Sequence, residues 1–160
     1  GHETDGLQHP VKYGKGLVVR PGNDITIIAV GNFLPAAVKT AELLEDEGLS
    51  CEIINPRFIK PLDKTLLRQS MEKTGRVVVM EDGIASGGFG SIVLEFINEE
   101  QISARALLLG FPDEPIPHGS REEIYMKYGL DPASMRERIL DFFGVASKQG
   151  GRIWVRNVLM

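Results

Sequence analysis

Between residues 34 and 47 the apolar positions Leu34, Ala37, Val38, Ala41 and Leu44 recur every three or four residues, the period of a helix with one buried face. Gly48 follows where a helix commonly ends on a left-handed residue, so an amphipathic helix is predicted over 34–47. Ahead of it, two β-rich runs, 16–20 and 24–30, are separated by Pro21, Gly22 and Asn23, strong turn formers, and are expected to pair as a hairpin. Residues 51–55 read as the next strand and 56–62, with two prolines, as a connection. Asp63 is placed to cap a helix that runs to about Lys73 and stops at Gly75. The run 76–81 is almost continuously apolar in its middle, as suits a central strand covered on both faces.

After Asp82 and Gly83, the segment Gly87, Gly88, Phe89, Gly90, Ser91 leads into a helix through residues 92–97, and 104–110 supplies a further strand. A proline-rich loop, 111–119, precedes Ser120 and Glu123, which form a capping-box pattern for a short helix ending near Gly129. Asp131 and Pro132 open a last helix, with proline in its favoured first position. Strands alternating with helices of about a dozen residues indicate right-handed βαβ crossovers. The fold class expected is α/β: three α/β/α layers around a mostly parallel, about five-stranded sheet with one antiparallel strand. Residues 1–12 are polar and aperiodic, a linker or chain end; 13–144 form the folded body; 145–160 are a tail of unassigned role, either an added strand or a disordered end.

Bulk properties narrow the function. The 160 residues are 42% hydrophobic and 25% charged, values of a chain that folds around one core and not of a disordered one. The net charge of -4, with both signs interspersed, gives no electrostatic footprint for nucleic acid. No apolar run is long enough to cross a bilayer and no signal segment opens the chain, so neither membrane nor nucleic acid is expected as a partner. The expected location is the cytoplasm, or the plastid stroma for a plant chain. Cys51 is the only cysteine and sits in a predicted strand, which reads as a buried structural thiol. His2, His9 and His118 have no metal-ligand spacing.

Four features invite chemistry. The glycine segment 87–91 stands at a helix start, where free N–H groups and the helix dipole favour an anion; its spacing fits neither a dinucleotide fingerprint nor a P-loop, and close packing against the sheet or a neighbouring subunit is the reading favoured. Glu81 and Asp82 lie at the carboxyl end of a strand, the edge at which α/β sheets bind ligands. Being adjacent on an extended segment they point to opposite faces, so a solvated or interface role is expected in place of a shared acid site. His118 shares its loop with Asp113, Glu114 and Ser120, but no nucleophile elbow orders them, and a turn with a helix cap is the expectation. Arg57 and Lys60, between Pro56 and Pro61, read as a solvated pair near the same edge.

Five segments, GKGLVVR at 14–20, DITIIAVG at 24–31, KPLD at 60–63, EDG at 81–83 and GGFGS at 87–91, taken in this order with helices between them, resemble the C-terminal domain of transketolase-like thiamine-diphosphate enzymes over about residues 12–143. Within that group, FPDEPIPHGSREE at 111–123 and YGLD at 128–131 are similar to the end of the 1-deoxy-D-xylulose-5-phosphate synthases. The resemblance implies a parent transferase that joins pyruvate to glyceraldehyde 3-phosphate for isoprenoid precursor synthesis, dimeric, with thiamine diphosphate and magnesium held by two preceding domains. No family catalytic residue maps onto these positions, so the domain is expected to bind no cofactor or metal, to be inactive alone and to support domain and subunit packing. Glu81, Asp82, Gly87, Gly88, Phe89, Gly90, Ser91 and His118 remain candidates for an interface or anion site. The alternatives are a separately encoded assembly module, of the split-transketolase or 2-oxo acid dehydrogenase β type, and a sensor of a phosphorylated ligand.

Overall fold

The computed structural model describes residues 10–84 and 88–148. Its elements are β1 (Leu17–Arg20), β2 (Ile25–Ala29), a single 3-10 turn (Gly31–Phe33), α1 (Leu34–Asp46), β3 (Cys51–Asn55), α2 (Lys64–Thr74), β4 (Arg76–Ile84), α3 (Phe89–Glu99), β5 (Arg105–Phe111), α4 (Arg121–Lys127) and α5 (Pro132–Phe143). The sheet has five strands in the order β1-β3-β2-β4-β5, all parallel except β1. This is the expected three-layer arrangement.

Period-two alternation divides each central strand between two cores. Ile25, Ile27 and Ala29 of β2, with Val78 and Met80 of β4, face α1 and α5 and pack with Ala41, Leu44, Met135 and Ile139. Ile28, Val77 and Val79 face α2 and α3 and pack with Leu67, Met71, Val93 and Phe96. All five residues of β2 are buried, and each large aliphatic side chain so placed stabilises the fold by about 1.5–3 kcal/mol. Thr26, the polar member of that strand, is satisfied by Ser70 Oγ at 2.7 Å and Thr74 Oγ1 at 2.8 Å.

The helix ends follow local chemistry. Asp63 caps α2 by accepting from the Leu66 N–H, and Gly75 closes it at φ +67°. The Ser120 and Glu123 capping box forms as read, and Asp131 caps α5 ahead of Pro132.

The hairpin does not form. β1 pairs antiparallel with β3, Leu17 opposite Asn55 and Val18 opposite Ile54, and β3 therefore stands between β1 and β2. The chain instead passes over the amino end of β3: Gly22 lies so close to it that a Cβ there would sit 2.2 Å from the Cys51 carbonyl carbon, and the Asp24 N–H donates to Ser50 O at 2.8 Å. The physical reason is burial. β2, apolar at four of its five positions, is central only with a strand on each edge, and the parallel neighbours β3 and β4 provide those.

At the other end, Ser147 Oγ and the Lys148 N–H donate to the buried Glu47 carboxylate at 3.0 and 2.6 Å, fixing the first residues of the tail. The added-strand reading of the tail and most of the 1–12 reading fall outside the described residues. Among the described residues no helix is long and apolar enough to cross a membrane.

Candidate functional site

β2 and β4 are neighbours whose outgoing connections diverge. The chain leaving β2 turns through α1 to β3 on one side, and the chain leaving β4 runs through α3 to β5 on the other. Their carboxyl ends thus open a crevice at the topological switch point, the usual ligand position of an open α/β sheet. Gly31, at φ +66°, makes the turn out of β2. The crevice, of about 330 Å³, is lined by Val30, Gly31, Glu81, Asp82, Gly88 and Phe89 among others. Asp82 and Gly83 also border a second cleft of about 510 Å³, walled by Phe111, Pro112, Ile124 and Tyr125 with Glu114 and Arg121.

β4 runs to Ile84, three residues beyond the run read from the sequence, so Glu81 still lies within the strand and shares the face of Val77 and Val79 toward α3. Its side chain is buried, 5% exposed, and Oε2 accepts the Gly90 N–H at 2.6 Å while the Phe89 N–H also donates to the carboxylate. Burial lifts this carboxyl above its ordinary value, and the two backbone donors act against that rise. A solvated role is therefore wrong for Glu81: its carboxyl is an internal acceptor on the first turn of α3, where the orphan N–H groups and the positive end of the dipole lie.

Asp82, exposed, points the other way, as the alternation requires. Oδ2 accepts from Asn32 Nδ2 at 3.2 Å and Oδ1 from the Tyr125 hydroxyl at 3.1 Å. The Tyr125 hydroxyl is pushed up, first by desolvation and then by its bond to Asp82. The Tyr125 ring stacks on Phe33 with centroids 5.2 Å apart and meets Phe111 at 5.8 Å, tying α4 to the ends of β2 and β5. Asn32, Phe33 and Tyr125 carried no signal in the sequence, because what joins them to Asp82 is non-local.

Of the glycine segment, Gly87 lies outside the described residues. Gly88 is the half-buried N-cap of α3, Phe89 is buried, and the half-buried Ser91 donates its N–H to Gly88 O at 3.1 Å. Gly90 packs on the domain's own sheet: a Cβ there would stand 2.8 Å from Leu108 Cδ2. His118 is exposed on the 112–120 loop and is not brought to Glu81 or Asp82, and Ser120 Oγ is engaged as a cap by the Glu123 N–H at 3.2 Å. Burial pushes the Cys51 thiol up to about 12, which removes it as a nucleophile at neutral pH.

Among the described residues no group of three or more His, Cys, Asp or Glu side chains could hold a metal ion, and the α3 start that could cradle a phosphate already holds Glu81.

Comparison with known proteins places this architecture. Residues 14–135 match the family model described as transketolase, C-terminal domain. The 1-deoxy-D-xylulose-5-phosphate synthase of Thermosynechococcus vestitus is 41% identical over 139 residues, which are 87% of this chain and 22% of that protein. That of Syntrophotalea carbinolica is 40% identical over 129 residues, 81% of this chain and 20% of the relative. The chain thus spans about a fifth of the length of these curated relatives. Among solved structures, a split-gene transketolase in an inactive β4 tetramer superposes with a TM-score of 0.77 at 29% identity, covering 84% of this chain and 44% of that one. The transketolase of Campylobacter jejuni shares the fold alone, with a TM-score of 0.56 at 16% identity over 79% of this chain and 18% of that one. The chain belongs to the transketolase C-terminal domain family.

Proposed function

We propose that this chain is the C-terminal domain of a cytoplasmic 1-deoxy-D-xylulose-5-phosphate synthase, a thiamine-diphosphate-dependent transferase that condenses pyruvate with glyceraldehyde 3-phosphate, and that the domain supports packing within that dimeric enzyme without itself reacting. The observation that carries the reading is the Glu81 carboxylate on the first turn of α3. It engages the Phe89 and Gly90 N–H groups, the donors among the described residues that the glycine segment would turn to a phosphate, which supports reading the segment as framework. Identity of 36–41% to synthases of this name over more than four-fifths of the chain supports the choice of parent. Thiamine diphosphate and magnesium then belong to the preceding domains; when bound, the cofactor supplies the carbanion chemistry. What this chain contributes is a fixed sheet edge. Glu81, Phe89 and Gly90 set the start of α3, Asp82 holds Asn32 and Tyr125, and Gly88, Ser91 and His118 belong to the surface offered to the rest of the enzyme.

The test is calorimetric titration of this chain with thiamine diphosphate and magnesium, paired with a carboligation assay on pyruvate and glyceraldehyde 3-phosphate, run beside the full-length enzyme. No binding and no product from the chain, with turnover by the full-length enzyme, is the expected result. Saturable binding or turnover by the chain alone would overturn it, and co-purification with a separately encoded larger chain would replace the parent by a split enzyme.

A further inference from the structure

Six of the nine large apolar side chains exposed among the described residues lie at one place, while Leu94, Ile116 and Met126 lie elsewhere. Val11 and Tyr13 are 57% and 77% exposed, and Leu17, Val18, Val19 and Ile59 between 38% and 44%. All lie on two stretches that the fold fastens together, the strap 10–20, which ends in β1, and the 56–63 loop after β3. The Tyr13 ring meets Phe58 edge-on with centroids 5.5 Å apart, a Cβ on Gly14 would stand 3.0 Å from Pro61 Cγ, and the Gly16 N–H donates to the Asp63 carboxylate at 2.9 Å. β1 is an edge strand with only β3 beside it, and its apolar side chains are exposed. Such an edge attracts a partner unless it is covered.

Charge narrows what covers it. Lys12, Lys15, Arg57 and Lys60 surround the apolar residues, all exposed, and none has a carboxylate within 4.0 Å among the described residues. Asp63, the one acid of residues 11–20 and 56–64, is buried, with one oxygen taken by the Gly16 N–H and the other by the Leu66 N–H. Glu95 and Glu99 of α3 line a pocket with Ile59, Lys60 and Lys64, so the surroundings of the patch hold five cations, Lys64 included, against these two acids, a local reversal of sign in a chain of net charge -4.

We infer that the strap and loop form the seat of the domain that precedes this one in its parent polypeptide, and that the face docking there is apolar with an acidic rim. The inference rests on reading the chain as part of a longer enzyme, and not on which reaction that enzyme performs. The matched family model is a C-terminal domain and begins at residue 14, inside the strap, and the match covers 22% of the Thermosynechococcus vestitus relative, so most of that protein lies outside it. A preceding domain is tethered to the patch itself, which raises its effective concentration there and lets a modest apolar area suffice. A second copy fits poorly, because a two-fold interface sets the same patch against itself and would press the four cations on their own images.

Hydrogen–deuterium exchange of the full-length polypeptide, compared with this chain alone, tests the inference. Peptides covering 11–20 and 56–61 are expected to exchange about tenfold more slowly in the full-length protein, while α1 exchanges alike in both. Val11→Asp combined with Ile59→Asp, both at exposed positions and neither part of the Tyr13–Phe58 contact, should abolish that protection without changing the melting temperature of the chain alone. Equal rates in the two proteins, or protection that survives the double substitution, would overturn the inference. So would concentration-dependent self-association of the chain alone that protects the strap, which would give the seat to a second copy. Turnover of the full-length enzyme is a separate readout: its absence would sink the proposed reaction and leave the docking result standing.

Discussion

Replacing Glu81 tests the feature on which the functional reading depends. In Glu81→Ala the Gly90 and Phe89 N–H groups lose their acceptor within a site that is 5% exposed. Leaving these first-turn donors without an acceptor costs about 1–3 kcal/mol, which includes the loss of the cap, so that is the expected destabilisation. Glu81→Gln keeps one acceptor oxygen and should cost about 1 kcal/mol or less at neutral pH. The pH dependence separates the variants further. Because the folded carboxyl is raised from its ordinary value of 4.5, the folded state holds the proton more tightly than the unfolded one. Stability from this group is therefore fully present below the unfolded value and is lost as pH rises through the folded one. The native chain should lose stability relative to Glu81→Gln across that window, then run parallel to it. Urea unfolding followed by far-ultraviolet circular dichroism at a series of pH values from acid to neutral measures both effects. A cost below about 0.5 kcal/mol for the alanine variant, the range of an ordinary surface change, would refute the internal cap. A native chain that gained on the glutamine variant as pH rose would refute the dominance of burial.

Gly22→Ala should cost about 3 kcal/mol or more, because its Cβ would lie 2.2 Å from the Cys51 carbonyl carbon and 2.4 Å from the Glu52 nitrogen, backbone atoms that cannot swing aside. Gly83→Ala, with nothing among the described residues within 4 Å of the added atom, should stay within about 0.5 kcal/mol, and the two urea midpoints compared directly check the steric account. Tyr125→Phe removes the bond to exposed Asp82 but keeps the stacking on Phe33, so a loss of about 0.5–1 kcal/mol is expected by the same measurement. Cys51 should resist an aromatic disulfide reagent at neutral pH until the chain unfolds; rapid modification of the native chain would contradict its burial and its raised pKa.

What the sequence disclosed was what local chemistry decides. The helix read over 34–47 and found at 34–46, the Asp63, Ser120 and Asp131 caps and the central place of 76–81 follow from periodicity, capping side chains and glycine position, all within a few residues of the element concerned. The hairpin was illegible as an error because a β1 paired to β2 and a β1 paired to β3 need the same turn and show the same local pattern. Only the burial demand of β2, met by strands 26 and 52 residues along at Cys51 and Val77, separates them. At the site, Glu81 and the glycine segment each stood out, yet their contact spans nine residues and a strand end that the acid itself disguised. Tyr125 was invisible for the opposite reason: its partners, Phe33 and Asp82, come from elements far away in the chain.

The Glu81 contact also bears on the phosphorylated-ligand alternative. A helix start at a switch point is the strongest anion receptor that an α/β sheet offers, and here a carboxylate of the adjoining strand sits on it at 2.6 Å. A phosphate entering the crevice would meet Glu81 and Asp82 together and would have to displace the first from its two backbone donors. Arg121 borders the neighbouring cleft, but it does so beside Glu114 and Asp82, so that cleft carries more negative than positive charge as well. The unneutralised cations considered above lie instead on the strap and the 56–63 loop, around an apolar surface too exposed to hold a small anion tightly and suited to a protein face. At the edge of the sheet that would ordinarily receive a ligand the α3 N–H groups are thus engaged by the domain's own acid, and on the inference drawn here the surface that meets a partner is the strap through which the chain enters the domain.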